Sequence, residues 1–359
     1  MITNSSVFED DTPPRELMYR EAEVEALHRA WKPTLGGQAG DEVIISGSSG
    51  VGKTSLAQHT IDRIEAQTET VHAYVQCLGA SPQKILATVL QAHPTASFPA
   101  GEESLAALTE TLRDAVSHPY IVILDEAEGL PDLNALDRLA DVPQLSTVVI
   151  VHNPTRWRSR LSNEAVSERY IDATDVEVDK FGVDELADIL RARARVGLQP
   201  GVVDRSQLEW IADEVAGVAR YGIQSLRAAA EHAADRGTFE IEAEDIEACF
   251  ELAQRRIREI NLRSLTVHHH ILYALIHAAG SINGVELHER YDAVAEQVYA
   301  DTTLTPIVRR TRRDRLRKLE EYELITQEGT GVARYEVADA SVQPPIDVSV
   351  AASVASNKR

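Results

Sequence analysis

The residues best suited to chemistry form one run, Gly47-Ser48-Ser49-Gly50-Val51-Gly52-Lys53-Thr54. Glycine lets the backbone curl so that successive N–H groups point inward at an anion. The G-x-x-x-x-G-K-T spacing therefore predicts a loop that binds the phosphates of ATP or ADP. Lys53 would reach the β- and γ-phosphates, and Thr54 would offer its hydroxyl to Mg²⁺. The predicted nucleotide contacts in this stretch are Ser49, Gly50, Val51, Gly52, Lys53, Thr54 and Ser55.

Two adjacent carboxylates, Asp125 and Glu126, end the apolar run that starts at Tyr120. A continuous apolar run is typical of a central parallel strand, which is buried on both faces. The carboxyl ends of such strands face the ligand in an open α/β sheet. We therefore expect Asp125 to orient Mg²⁺ or one of its waters, and Glu126 to polarise the water that attacks the γ-phosphate.

Two further polar residues are candidates for contacting the γ-phosphate. Asn153 follows the apolar run at 147–151, although a turn residue before Pro154 is the alternative. Arg220 opens a predicted helix, from which its guanidinium would lie on the phosphates. The predicted catalytic set is Lys53, Glu126, Asn153 and Arg220. A basic run follows Asn153, and one of its members would contact the nucleotide of a neighbouring subunit; the candidates are Arg156, Arg158, Arg160 and Arg169.

Apolar strands and helical patterns alternate in the first half of the chain. Strands are predicted at 43–45, 71–75, 120–124 and 147–151, and helices at 15–31, 81–92 and 102–117. From Gly182 onward only helices follow, at 184–195, 207–215 and 220–236, with a fourth opening near 240. This order predicts an α/β fold with a P-loop parallel-sheet domain at 13–182, after a flexible segment at 1–12, and an α-helical lid at 183–254. Tyr19 and Arg20, in the first helix, would close over the nucleotide base or only pack.

Three helices and a β-hairpin are predicted next, at 268–279, 284–299, 305–322, 324–326 and 333–337. They predict a winged-helix domain at 255–338, whose third helix, starting at Thr305-Pro306, would enter the major groove of duplex DNA. The remaining residues, 339–359, have low complexity and are predicted to be a disordered tail.

The third of these helices carries seven basic residues against one acid between Arg309 and Lys318. Helical periodicity places Val308, Leu316 and Leu319 on its buried side. The predicted DNA contacts are Arg309, Arg310, Arg313 and Arg317, together with Arg334 in the hairpin. Arg312 and Arg315 lie nearer the predicted core. The alternatives are a solvated basic face and a protein-binding face.

The chain of 359 residues is strongly acidic, with a net charge of −21, and only six of its 36 basic residues are lysines. Such a surface is typical of halophile proteins, whose self-repulsion is screened by the salt of the cell. With no apolar run of 18 residues and no signal-peptide pattern, we expect a cytoplasmic protein without membrane contact. The two cysteines fit a reducing compartment.

The order of these motifs resembles that of the AAA+ ATPases, and among them the archaeal origin-recognition/cell-division-control (Orc/Cdc) replication initiators. The resemblance rests on Tyr19-Arg20-Glu21, the phosphate loop, Leu124-Asp125-Glu126-Ala127-Glu128, Gly217-Val218-Ala219-Arg220 and the winged helix. It implies Walker A and Walker B roles for the loop and for Asp125-Glu126, and sensor roles for Asn153 and Arg220. It also implies binding of origin DNA, recruitment of the replicative helicase, contacts with other initiator subunits, and a slow Mg²⁺-dependent ATP hydrolysis that acts as a switch.

Three departures place the chain among the divergent members of that family, and its acidic, lysine-poor composition points to a haloarchaeal one. Glu128 stands where the family usually has Asp, Pro154 follows Asn153, and residues 162–169 only loosely match the segment that usually supplies the arginine acting in trans. Other functions stay open at this point. A winged-helix NTPase of the signalling (STAND) type would regulate transcription, a plasmid or a mobile element. A transposition-type DNA ATPase would need no winged helix, and a DNA-binding regulator would hold nucleotide without hydrolysing it.

Overall fold

A computed structural model of the protein describes residues 1–10, 12, 16–96, 104–130, 132–300, 304–329 and 333–348. The chain divides into two units, Met1–Glu247 and Ala248–Arg359. The helix Ala243–Ser264 begins in the first unit and ends in the second, so the predicted boundary between residues 254 and 255 falls inside a helix. Among the described residues, no helix is both long and apolar enough to cross a membrane.

A five-stranded parallel sheet forms the centre of the first unit. Its strands are β1 (Val43–Ser46), β2 (Val71–Gln76), β3 (Tyr120–Asp125), β4 (Leu145–Val151) and β5 (Thr174–Glu177), in the order β2-β3-β4-β1-β5. Every residue of β1, β3 and β4 is buried, as expected for interior strands of a parallel sheet. Because all five strands run the same way, the residues that follow β1, β3 and β4 meet at one edge of the sheet.

Helices flank this sheet, and apolar residues fill a core on each of its faces. The helices are α1 (Glu21–Trp31), α2 (Lys53–Glu65), α3 (Pro82–Ala92), α4 (Leu105–Ala115), α5 (Asn134–Ala140), α6 (Pro154–Arg158) and α7 (Glu164–Ile171). Residues of β3 alternate between the two cores: Val122 and Leu124 belong to one, and Ile121 and Ile123 to the other. The predicted strands of this unit and helix α3 are confirmed, whereas the predicted start of α4 at Glu102 lies outside the described residues.

The first helix, α1, is shorter than the sequence predicted. It begins at Glu21 and not at Arg15, which lies outside the described residues. Tyr19 has a φ of 59°, in the left-handed region, and Arg20 is the residue that precedes the helix. A left-handed residue interrupts right-handed helical geometry, so Tyr19 and Arg20 lie in a turn before α1.

Four short elements of the first unit, α5, α6, α7 and β5, were not predicted from the sequence. The three helices contain 7, 5 and 8 residues. Segments of that length are too short for an apolar helical period to repeat clearly. The strand β5 lies at the edge of the sheet, and Val176 is its one buried residue, so its sequence shows no apolar run.

Helices alone form the lid, as predicted. They are α8 (Val183–Gly197), α9 (Arg205–Glu214), α10 (Ala219–Asp235) and the start of α11 (Ala243–Ser264). The N-terminal segment is folded against them, so the prediction of flexibility is wrong for residues 1–10. Ser5–Phe8 is a short 3₁₀ helix whose Phe8 side chain is fully buried. Gln224 in α10 donates from Nε2 to the carbonyl of Phe8 at 2.7 Å, and Arg193 in α8 donates to the carbonyl of Val7 at 2.6 Å.

The second unit has the element order of a winged helix. Its elements are α12 (Val267–Ala279), β6 (Ser281–Asn283), α13 (Gly284–Tyr299), α14 (Arg309–Glu321), β7 (Ile325–Glu328) and β8 (Arg334–Val337), with the antiparallel sheet order β6-β8-β7. Helix α14 begins later than the predicted Thr305-Pro306. Val308 is an extended residue that precedes the helix and is 68% exposed, so its predicted place on the buried side is wrong.

The segment after the hairpin is folded, so the prediction of a disordered tail is wrong for residues 339–348. Val342 and Val348 are buried, and Tyr273 in α12 donates its hydroxyl to the carbonyl of Val342 at 2.9 Å. The segment is folded despite its low-complexity composition because two of its valines are buried. Apolar area removed from water stabilises even a short stretch. Residues 349–359 lie outside the described residues.

Candidate functional site

The predicted phosphate loop connects β1 to α2, and its glycines are required by its shape. Gly47 has a φ of 147°, and a Cβ there would lie 2.3 Å from the carbonyl oxygen of Val178. Gly50 has a φ of 76°, and a Cβ there would lie 3.0 Å from side-chain atoms of Val218 and Arg220. A larger residue at Gly47 would clash with the backbone after β5, and one at Gly50 would push the start of α10 away from the loop.

Helix α2 begins at Lys53, immediately after the loop, so its N-terminal N–H groups and partial positive charge lie at the loop. The Lys53 side chain folds back over the loop and is almost fully buried. Its Nζ donates to the carbonyl oxygens of Gly47 and Ser48, both at 2.8 Å. These contacts hold a positive charge beside backbone N–H groups, which is the arrangement that binds a polyphosphate.

Asp125, at the end of β3, is a buried carboxylate that accepts three hydrogen bonds. Its Oδ2 accepts from the Thr54 hydroxyl at 2.7 Å and from the Tyr74 hydroxyl at 2.8 Å, and its Oδ1 accepts from the backbone N–H of Glu126 at 2.8 Å. Burial and the charge of Asp125 raise the pKa of Tyr74, so Tyr74 remains a hydrogen-bond donor. The adjoining Thr54 hydroxyl and Asp125 carboxylate are hard oxygen groups, which fit Mg²⁺.

Glu126 has a left-handed backbone, with a φ of 53° and a ψ of 42°. This conformation is strained for a residue with a side chain, and such strain is concentrated at functional positions. Glu126 immediately precedes a short 3₁₀ helix, Ala127–Gly129. Glu128 then accepts a hydrogen bond from the backbone N–H of His152 at 2.9 Å, which joins the acidic segment after β3 to the end of β4.

Asn153 lies just after β4 and caps α6. Its side-chain oxygen accepts from the backbone N–H of Arg156 at 2.8 Å, and Pro154 occupies the first helical position. The turn role that the sequence offered as an alternative is therefore present. A contact between the Asn153 amide and a γ-phosphate stays a prediction.

Arg220 lies against the phosphate loop. Its backbone N–H donates to the carbonyl oxygen of Gly50 at 3.0 Å, so α10 of the lid begins directly at the loop. Its guanidinium contacts the N-terminal segment: Nε and Nη2 lie 2.8 and 2.6 Å from Oδ2 of Asp10. Arg220 therefore lies at the phosphate loop, as the sequence predicted. Its pairing with the Asp10 carboxylate was not predicted.

Tyr19 and Arg20 have protein partners that connect the lead-in turn to the loop and the lid. Arg20 is buried, and its Nη2 donates to the carbonyl oxygens of Asp179 at 2.6 Å and Val51 at 3.3 Å. The Tyr19 hydroxyl donates to Asp188 in α8 at 2.5 Å. These contacts hold the turn before α1 against the phosphate loop and the lid. Direct contact of either residue with a nucleotide stays a prediction.

Three of the four arginines proposed to reach a neighbouring subunit are engaged within their own chain. Arg158 donates to Asp175 and Arg160 to the carbonyl of Glu128, at 2.8 and 2.7 Å. Arg169 pairs with the buried Glu42, and burial raises the pKa of that carboxyl. The fourth, Arg156, lies in α6 and is exposed.

Helix α14 of the second unit separates an outer set of arginines from an inner one. The exposed set consists of the residues predicted to contact DNA, Arg309, Arg310, Arg313, Arg317 and, in β8, Arg334, and the DNA contact itself stays a prediction. Arg312 is buried: it donates to the carbonyls of Ile307 and His288 at 2.9 and 3.2 Å, pairs with Asp292 and stacks 3.9 Å above the Tyr291 ring. Arg312 therefore attaches α14 to α13, and the outer arginines face solvent.

Comparison with known proteins identifies the family. Residues 16–151 match the model of the AAA ATPase domain, and residues 187–251 match that of the Cdc6 AAA+ ATPase-type lid domain. The chain is 30% identical over 346 residues to ORC1-type DNA replication protein 9 of Halobacterium salinarum, and the match covers 95% of each chain. The chain belongs to the Orc/Cdc6 family.

A second relative agrees with the Orc/Cdc6 assignment, and two solved structures share the fold. ORC1-type DNA replication protein 1 of Halobacterium salinarum is 29% identical over 294 residues, which cover 81% of this chain and 95% of the relative. The ORC1 protein of Aeropyrum pernix, solved in complex with DNA, has a TM-score of 0.72 at 21% identity and covers 99% of this chain and 97% of its own. Cdc6p of Pyrobaculum aerophilum has a TM-score of 0.61 at 19% identity, with 100% and 99% covered. At these identities the two structures show the shared fold.

Orc/Cdc6 membership confirms the AAA+ fold with a helical lid, and it makes the chain a replication initiator of the ATP-binding AAA+ ATPase class. Two residues at its site were missed by the sequence analysis, Tyr74 and Asp10. Tyr74 lies on β2, which pairs with β3, but no motif marks a hydroxyl on a neighbouring strand. Asp10 lies two residues after the buried Phe8, and the apolar pair Val7-Phe8 in a polar run was the available signal.

Proposed function

We propose that this Orc/Cdc6 chain binds Mg·ATP at the edge of its parallel sheet, hydrolyses it slowly, and uses the nucleotide as a switch for binding duplex DNA at replication origins. One observation supports the part of the proposal that concerns nucleotide binding. The backbone of the loop, Lys53, the Thr54–Asp125 pair and Arg220 all lie at the carboxyl ends of β1 and β3, where α10 begins. Each group is of the type that recognises phosphate or its metal ion.

The residues divide the work of hydrolysis among them. Lys53 and the N-terminus of α2 stabilise negative charge on the β- and γ-phosphates. Thr54 and Asp125 would hold Mg²⁺, which neutralises phosphate charge when bound. Glu126 accepts a proton from the attacking water, and Asn153 and Arg220 orient the γ-phosphate. Hydrolysis removes the group that Asn153 and Arg220 contact, so the site distinguishes ATP from ADP.

The outer arginines of α14 support the DNA half of the proposal. Arg309, Arg310, Arg313 and Arg317 place positive charge on the exposed side of the third helix of a winged-helix unit, in a chain whose net charge is −21. Basic residues in that position contact phosphates and base edges of the major groove. The relative from Aeropyrum pernix was solved in complex with DNA. Recruitment of the replicative helicase and contact with other initiator subunits complete the proposed role.

Two substitutions test the nucleotide site. Lys53→Ala removes the charge beside the loop and should abolish nucleotide binding, whereas Glu126→Gln should bind ATP normally and hydrolyse it at least about a hundredfold more slowly. Glu110→Gln removes an exposed carboxylate on α4, is the matched control and should hydrolyse ATP at the wild-type rate. Binding is measured with a fluorescent nucleotide and hydrolysis by phosphate release, with and without DNA. Normal turnover in Glu126→Gln would contradict the role of that residue.

A further inference from the structure

We propose that Asp10 determines how strongly the site prefers a nucleoside triphosphate to a diphosphate, by occupying the guanidinium of Arg220 that the terminal phosphate must contact. This inference rests on the proposed function, because it takes the γ-phosphate contact of Arg220 from there. The observation behind it is a contact between the N-terminal segment and the lid, in which Nε and Nη2 of Arg220 lie 2.8 and 2.6 Å from one oxygen of Asp10.

The residues that precede Asp10 in the chain are attached to the lid helix α10, and they hold the Asp10 carboxylate near Arg220. Two residues earlier, Phe8 is fully buried, and the carbonyl of Phe8 accepts a hydrogen bond from Gln224 on the same helix that begins near Arg220. Glu9 contacts Arg227, two turns further along that helix, at 2.7 Å. An attached and anchored carboxylate acts at a high effective concentration, so Arg220 meets it more often than a carboxylate from solution.

The chemistry of the two partners makes the competition selective. The backbone of Arg220 is bonded to Gly50, so this side chain starts at the loop that would hold the phosphates. A terminal phosphate offers several charged oxygens to a guanidinium, whereas Asp10 offers Arg220 one oxygen. A triphosphate can therefore replace Asp10 and leave Arg220 paired. A diphosphate lacks the group that reaches this guanidinium, so Asp10 stays on Arg220 when ADP binds.

The ion pair is weak enough to be exchanged. The Asp10 and Arg220 side chains are 35% and 24% exposed, so water screens their attraction. Asp10 therefore lowers the affinity for a triphosphate by a modest factor and leaves the affinity for a diphosphate unchanged. Asp10 therefore reduces the difference between the affinity for the triphosphate and the affinity for the diphosphate.

The test compares Asp10→Asn with Glu9→Gln, which neutralises the neighbouring carboxylate of the same segment. Dissociation constants are measured for ADP and for a non-hydrolysable ATP analogue, each with Mg²⁺, at one fixed salt concentration. We expect Asp10→Asn to bind the ATP analogue about threefold to tenfold more tightly, with ADP binding unchanged. Glu9→Gln removes one exposed ion pair but keeps the Phe8–Gln224 contact that holds the segment, so its effect on either constant should be smaller than that of Asp10→Asn. In an Arg220→Ala background, Asp10→Asn should have no effect on either nucleotide.

Each possible failure identifies which idea is wrong. Equal effects of Asp10→Asn on both nucleotides, or no effect while Arg220→Ala weakens only the ATP analogue, would overturn the role of Asp10 and leave the proposed function intact. If Arg220→Ala leaves the preference for the ATP analogue unchanged, the γ-phosphate contact in the proposed function is itself wrong. An effect of Asp10→Asn that persists without Arg220 would show that Asp10 acts through another group.

Discussion

At the scale of single residues, the site is organised by long-range contacts around Asp125. Its motif neighbours Lys53, Thr54 and Glu126 are recognisable in the sequence because their types and spacing are fixed by phosphate chemistry. The Tyr74 hydroxyl, which donates to the same Asp125 oxygen as Thr54, comes from a strand 51 positions away in the chain. Such a contact depends on strand order, which the residue pattern does not specify.

Removing the Tyr74 hydroxyl should weaken the metal site and spare the phosphate loop. Groups that hydrogen-bond a metal-binding carboxylate fix its orientation, and their loss lowers metal affinity by about tenfold or more. We expect Tyr74→Phe to raise by about tenfold the Mg²⁺ concentration that gives half-maximal ATP binding, while ATP affinity measured with a chelator is unchanged.

The matched control for this substitution is Tyr120→Phe. It removes the hydroxyl of a fully buried tyrosine of the same sheet, which donates to the carbonyl of Val89 at 2.6 Å and does not contact Asp125. Tyr120→Phe should lower stability without changing the Mg²⁺ requirement. If both variants shift the Mg²⁺ requirement equally, Tyr74 acts only through the packing of the sheet.

At the scale of elements, periodicity predicted the faces of α14 and failed at its start. Leu316 and Leu319 are buried and the predicted outer arginines are exposed, because a 3.6-residue period assigns faces reliably inside a helix. Val308 is exposed because the helix begins one residue later. Helix ends depend on local dihedral angles, which also explains why α1 starts after the left-handed Tyr19 and not near Arg15.

The two sets of arginines on α14 should differ in what their loss changes. Arg313→Gln removes an exposed charge, and we expect weaker binding to duplex DNA of any sequence, with the slope of log affinity against log salt reduced by about 1. Arg312→Met removes the inner contacts to α13 and should mainly lower the melting temperature. Fluorescence anisotropy at several salt concentrations measures the first effect, and thermal unfolding measures the second.

Arg263→Gln provides the control for charge alone. Arg263 belongs to the second unit, lies on α11 and is 73% exposed. Its substitution should leave the salt slope unchanged. A loss of DNA affinity as large as that of Arg313→Gln would show that only the net charge matters and that α14 is not the binding face.

At the scale of the whole molecule, composition predicted the acidic surface, but it did not predict that two polar segments are folded. The net charge of −21 with few lysines agrees with relatives from haloarchaea. The polar N-terminal run and the low-complexity segment at 339–348 both looked unstructured in the sequence. Each is folded because a few apolar side chains, Phe8 in one and Val342 and Val348 in the other, reach a core built by distant residues.

The central claim, an ATP-dependent initiator that acts at replication origins, is tested most directly by mapping where the protein lies on its own genome. Wild-type protein and Lys53→Ala are compared by chromatin immunoprecipitation at equal expression, beside a map of replication start sites. We predict that the wild-type protein occupies replication origins and that Lys53→Ala occupies them less. Occupancy confined to promoters, with origins empty, would contradict the account and indicate a transcription regulator.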